Sequence, residues 1–254
     1  MAWTFDLSSA TLAPGYEMAM SRQRKPWASE DLVRLFWTLQ GPLEESVSVM
    51  RDKHSPHRHL EPYHERTLDG DSWHPISEKP VTSPPVSNLF VDVYQLAEWE
   101  GDWVEMHSKC VGGGRFFRDD EGSDYETEDE VDEYDTGHKL VRCCHQDRPP
   151  PSTKLEVRAS SQPFVTVHDY LTAVHPWLMR QREKLLRVMN VADEFASPLP
   201  EDTRLAVNVN GPECLIIDEV DHWKAITSRG RGVVAQNIPV SGQPFTTVEQ
   251  GTGL

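Results

Sequence analysis

No apolar run in the 254-residue chain approaches the roughly 18 residues that a membrane-crossing helix needs. The longest candidates, such as Leu215-Ile216-Ile217, stop almost at once, so a membrane is not an expected partner. Cysteine is scarce: there are four, at positions 110, 143, 144 and 214, one pair of them adjacent. That set forms no regular disulfide framework and predicts reduced thiols, hence a cytoplasmic or nuclear setting. No basic residue precedes Arg22, and no continuous hydrophobic core follows Met1, so neither a secretory nor a mitochondrial leader is expected. A glycine-rich phosphate loop, a G-x-S-x-G nucleophile turn and any internal repeat are also missing. Those absences remove the familiar nucleotide, hydrolase and solenoid classes, and no cofactor is predicted.

Apolar residues are in short supply at 37%, whereas 19 prolines and 15 glycines are present, which implies long irregular connections around a core smaller than the chain. Eight tryptophans are nevertheless spread from Trp3 to Trp223, an aromatic content that argues for a folded domain. The net charge is −16, and eleven acids without a base fall between Asp119 and Asp135. Taking that −11 from −16 leaves only −5 for the rest of the chain. Such a balance makes nucleic acid an unlikely partner and assigns the acidity to one removable segment.

The pattern of residues predicts an α+β fold: a single domain of short strands and a few helices, interrupted by a long disordered acidic insertion. Residues 1–25 form an N-terminal arm, 26–226 the α+β domain with 112–137 as the insertion, and 227–254 a flexible C-terminal tail. Ser29 as a cap, Glu30 and Asp31 in a first turn, and Gly41-Pro42 as a stop predict a helix between them, burying Leu32, Leu35, Phe36 and Leu39. A second helix is expected near Leu43, followed by a histidine-rich loop from His54 to His64. Residues 88–96 alternate as a half-buried strand, and 103–106 are expected to continue the sheet. Residues 139–144 and 154–158 have strand character and are expected to pair across Pro149-Pro150-Pro151. Thr166 followed three residues later by Asp169 is a variant capping box and starts a helix, kinked or divided at Pro176. Residues 203–209 and 214–218 form a hairpin about Asn210-Gly211-Pro212, with a further strand from Trp223 to Ile226.

Four constellations carry candidate chemistry. His57, His59 and His64 lie in the histidine-rich loop, with His54 and His74 nearby. On an extended chain His57 and His59 project to one side, and Glu61 adds a carboxylate, so a divalent metal site with an open position is the basis for a metal-dependent enzyme. Cys143-Cys144-His145 with distant Cys110 offers soft ligands, but adjacent strand residues point to opposite faces, and buried structural cysteine is the reading the spacing favours. Ser123 and Thr127 each precede an acid by three residues, the pattern an acidophilic kinase modifies. His168 and His175, seven residues apart on one helix, share a face. The two Asp-Glu-Val-Asp copies, at 129–132 and 218–221, and Ser228-Arg-Gly-Arg-Gly232 are attributed to composition. The expected function is therefore a noncatalytic intracellular interaction protein whose acidic insert meets a protein with a basic surface. The metal-dependent enzyme is the alternative.

Overall fold

Thr166 accepts a hydrogen bond from the Asp169 amide at 3.0 Å while the Asp169 carboxylate accepts one from the Thr166 amide at 3.0 Å, closing the capping box that the sequence announces. From it runs the longest helix of a computed structural model that describes residues 13–21, 25–67, 70–108, 110, 115–118, 124–126, 138–144, 146–190, 198–209 and 211–229. The described helices are α1 (Tyr16–Ser21), α2 (Leu43–Ser46), α3 (Tyr94–His107), α4 (Val167–Val188) and α5 (Val220–Ser228). Pro176 faces outward inside α4, which is one continuous helix.

The strands are β1 (Trp27–Ala28), β2 (Leu35–Trp37), β3 (Val47–Met50), β4 (Leu60–Pro62), β5 (His64–Thr67), β6 (Gly70–Trp73), β7 (Thr82–Ser83) and β8 (Asn88–Val93). They continue as β9 (Arg115–Arg118), β10 (Asp124–Glu126), β11 (His138–Cys143), β12 (Gln146–Asp147), β13 (Leu155–Arg158), β14 (Leu205–Asn208) and β15 (Cys214–Glu219). Helices accompanied by several small sheets make the architecture α+β. The central sheet has the order β13-β8-β15-β14, with β8 and β15 parallel and the two outer pairings antiparallel. The predicted hairpin is thus present, in register Leu205 to Glu219 through Asn208 to Ile216. An antiparallel sheet β2-β3-β4 meets it where Thr38 bridges Ala206.

The main core lies between this sheet and α4. Val167, Tyr170, Leu171, Val174, Leu178 and Leu185 of the helix pack with Leu89, Val91, Leu205, Val207 and Leu215 of the strands. Two polar side chains buried within it are hydrogen-bonded. His175 accepts from the Trp37 indole at 3.0 Å through Nδ1 and donates to the Gly41 carbonyl at 3.0 Å through Nε2, which fixes its tautomer. Tyr170 donates its hydroxyl to the Pro212 carbonyl at 2.7 Å.

Four local expectations are corrected. Residues 32–34 form a 3-10 turn, and Leu35–Trp37 form strand β2 in place of a helix. All three strand residues are buried, Trp37 in the main core and Phe36 against Trp223, and a short run buried on both faces has no period that separates strand from helix. Residues 103–106 belong to helix α3, where Trp99, Trp103 and His107 are buried at four-residue steps. Residues 223–226 belong to helix α5, which buries Val220 and Trp223 at a three-residue step. Finally, β11 pairs with β9 and β12 whereas β13 pairs with β8, so the two stretches flanking the prolines join different sheets.

A smaller sheet, in the order β10-β9-β11-β12, has its own cluster of Trp103, Leu140 and Cys143, against which Val104 packs. Arg148 fastens it to α3: its guanidinium donates to Glu100 at 2.9 Å and to the Leu140 carbonyl at 3.1 Å. Within the acidic insertion of 112–137, residues 115–118 and 124–126 are strands, and the remainder lies outside the described residues. So do residues 1–12 and 22–24 of the expected N-terminal arm and the tail from residue 230 onward.

Candidate metal centre

Helix α3 buries Leu96, Trp99, Trp103 and His107 along one stripe, and the last member of that stripe is an imidazole. The helical hydrogen bonding is carried past the helix end by the Cys110 amide, which donates to the His107 carbonyl at 3.2 Å. His107 and Cys110 are therefore neighbours on one turn, in a His-x-x-Cys arrangement. Opposite them, Cys143 ends β11 and pairs with Gln146, and Cys144, in a turn just after the strand, takes a left-handed conformation, φ 49°. For a side chain bearing Cβ that conformation costs about 1–2 kcal/mol. Its effect is to bring the Cys144 sulfur round beside that of Cys143, at 3.7 Å. The rule that neighbouring strand residues face opposite ways fails here because Cys144 has already left the strand.

The four ligand atoms lie within 4.8 Å of one another, the one such grouping of three or more His, Cys, Asp or Glu side chains among the described residues. Cys110 Sγ is 3.5 Å from Cys144 Sγ and 3.6 Å from His107 Nδ1. With Zn–S near 2.3 Å and Zn–N near 2.0–2.1 Å, a tetrahedral zinc site has S···S edges of about 3.8 Å and N···S edges of about 3.5 Å. Three of the six edges, at 3.5, 3.7 and 3.6 Å, lie within about 0.3 Å of those values.

Burial decides what each ligand does. His107 and Cys143 are buried, whereas Cys110 and Cys144 are exposed, so the site is set into the domain on one side and open to solvent on the other. The Trp103 ring lies 4.7 Å from the His107 ring and holds its orientation. No disulfide joins the cysteines. Burial first, and then hydrogen bonding with Cys110 and Cys144, pushes the Cys143 thiol up to about 12. Three sulfurs this close do not carry negative charge together unless a cation neutralises them. Thiolate-rich sets favour zinc, copper(I) and iron–sulfur chemistry, and four ligands of the Cys3His type at single-ion spacing fit zinc. A tetrahedron filled by four side chains holds structure and leaves no position for substrate.

The sequence singled out Cys110, Cys143 and Cys144 but missed His107. Its signal was available as the two-residue spacing before Cys110. His145 lies outside the described residues, as do Ser123 and Thr127. The other proposed ligands stand apart from the cysteine centre. His57 and His59 are exposed, and a turn donating the Arg58 amide to Ser55, with His59 at φ 50°, replaces the extended chain that would have aligned them. His64 lies in β5 with its ring 4.6 Å from Trp73 and its Nε2 3.6 Å from Asp71. Glu61 is paired with His74 at 3.0 Å. His54 lines a surface cleft with Lys53 and Trp223. His168 meets the Tyr63 hydroxyl at 3.2 Å while His175 is held by Trp37 and Gly41, so the two rings are engaged by different partners. Cys214 lies in β15, outside the centre. No protein-family model, no curated protein and no solved structure matches the chain.

Proposed function

We propose that the chain is a noncatalytic, zinc-dependent interaction protein in which His107, Cys110, Cys143 and Cys144 hold one structural Zn²⁺. The observation that carries this reading is the gathering of the four ligand atoms within 4.8 Å of one another, with three of the pairs at 3.5, 3.6 and 3.7 Å. The metal then cross-links α3 to the β11–β12 turn and secures a sheet whose own core among the described residues is Trp103, Leu140 and Cys143. A metal cross-link adds to that small cluster. Residues 119–135, with eleven acids and no base, lie between the two halves of the centre. The metal thereby gives the acidic segment a firm base, from which it meets a protein with a basic surface.

Metal analysis of tag-free full-length protein tests the reading. One zinc per chain is expected, and cobalt loaded in its place should show the intense visible absorption of a tetrahedral thiolate site. The His57→Ala/His59→Ala double variant should keep the zinc. Zinc far below stoichiometric after purification without chelators, or its loss in that double variant, refutes the assignment. Recovery of basic partners with and without residues 119–135 then tests the interaction, and equal recovery removes the acidic segment from it.

A further inference from the structure

Resting on the zinc reading, we propose that the centre is an oxidisable staple: a peroxide expels the metal and joins Cys110 to Cys144, replacing a metal cross-link between α3 and the β11–β12 turn by a covalent one. Three observations select that pair. The two sulfurs are 3.5 Å apart, in van der Waals contact. Both residues are exposed, so a small oxidant reaches them, whereas Cys143 is buried. Cys143 and Cys144 are also close, at 3.7 Å, but as adjacent residues they close only a strained ring on oxidation. A normal disulfide is near 2.05 Å, so the Cys110 and Cys144 sulfurs need to approach by about 1.5 Å.

The chemistry balances with hydrogen peroxide as the two-electron oxidant. One exposed thiolate attacks a peroxide oxygen: an S–O bond forms, the O–O bond breaks, and hydroxide leaves and is protonated to water. The sulfur is oxidised to the sulfenic acid and the peroxide is reduced. The second thiolate attacks that sulfur, forming S–S and breaking S–O, and a second hydroxide leaves as water on taking a proton. Two thiolates, one peroxide and two protons give one disulfide and two waters. Zn²⁺ keeps its charge, loses two of four ligands and dissociates from His107 and Cys143.

The consequence is specific to where these cysteines fall. Cys110 and Cys144 are 34 positions apart and bracket the whole acidic run from Asp119 to Asp135. Oxidation therefore leaves the acidic segment anchored at both ends after the metal has gone, whereas chelation under reducing conditions removes the cross-link entirely. Oxidised and metal-stripped protein differ as two forms of the same sheet.

The test uses the zinc-loaded full-length chain titrated with hydrogen peroxide, with zinc release followed by a chromophoric indicator and linkages mapped by non-reducing peptide mass spectrometry. Expected are one zinc released per chain and a single Cys110–Cys144 link, both reversed by a thiol reductant with added zinc. Amides of β11 and β12 should stay protected from hydrogen exchange in the oxidised form and lose protection in the chelated, reduced form. A Cys143–Cys144 or Cys110–Cys143 link as the main product overturns the proposal, as does zinc retained at peroxide levels that oxidise a free thiol completely. Zinc absent before peroxide is added overturns the zinc reading and this inference together, whereas a zinc-loaded chain giving the wrong link overturns this inference alone.

Discussion

Replacing single cysteines by serine should separate the members of the centre from the one cysteine outside it. Structural zinc at pH 7 is worth about 10–16 kcal/mol of apparent binding free energy. Four ligands fill the tetrahedron, so an even division gives each roughly 2.5–4 kcal/mol, or roughly 70- to 900-fold in dissociation constant. Cys110→Ser, Cys143→Ser and Cys144→Ser should all weaken zinc binding within or above that range. Cys143→Ser should be the most severe, because that residue is buried and its hydroxyl also enters the Trp103–Leu140 cluster. Cys214→Ser should change zinc affinity by less than about twofold, since it removes no ligand from the tetrahedral set. Competition against a chromophoric chelator of known affinity measures all four variants. The reasoning is refuted if the three centre variants fall within about threefold of wild type, far short of the quarter share computed for each ligand. A loss in Cys214→Ser equal to theirs refutes it as well.

Other outcomes follow from the same geometry. Chelation under reducing conditions should remove hydrogen-exchange protection from β11 and β12 while β8, β14 and β15 keep theirs, because the latter strands pack into the main core. Simultaneous loss across both sheets would show that they unfold as one unit. Thr166→Ala opens the capping box and should cost about 1 kcal/mol, seen by calorimetry as a melting temperature lower by roughly 2–4 °C. No shift would mean that the two reciprocal bonds contribute nothing net. Burial holds the His175 imidazole below its ordinary value. The unfolded chain therefore takes up that proton first, so the stabilisation is complete above about pH 6.5 and is lost as pH falls through the folded value. Denaturant midpoints across that window should decline less steeply in His175→Phe. That variant should also start about 1–3 kcal/mol lower, because the Trp37 indole loses its acceptor. An unchanged slope would assign the acid sensitivity to other groups.

What could be read from the sequence was the local part. The Thr166–Asp169 box and the hairpin from Leu205 to Glu219 depend on residues close in the chain, and both form as their spacing requires. Strand β2 was hidden because Leu35, Phe36 and Trp37 are buried on both faces, which erases the alternation by which a strand is known. The centre was hidden first by an error of period. With 103–106 taken as a strand, residues 107 and 110, three apart, fall on opposite faces; on the end of a helix they are neighbours. Once α3 is recognised, His107 joins Cys110 and the ligand set has its nitrogen. The remaining obstacle was Cys144, whose left-handed backbone no hydrophobic pattern records.

Correcting that one element also changes what the acidic segment means. Eleven acids with few apolar residues among them supply little surface of their own to bury. A metal bound by residues on either side can secure the smaller sheet, because its contribution requires four ligands at the base and nothing from the intervening chain. The positions of the cysteines follow that logic: Cys110 lies before the acidic run, and Cys143 and Cys144 lie after it. Shortening the acidic run while retaining β11, β12 and the four ligands should therefore leave zinc affinity within about threefold, since the quarter-share accounting assigns the run no ligand. Measuring zinc affinity and partner recovery on that one variant separates the staple from the segment it secures. Loss of recovery with zinc retained supports the division of labour, and loss of zinc with the acids refutes it.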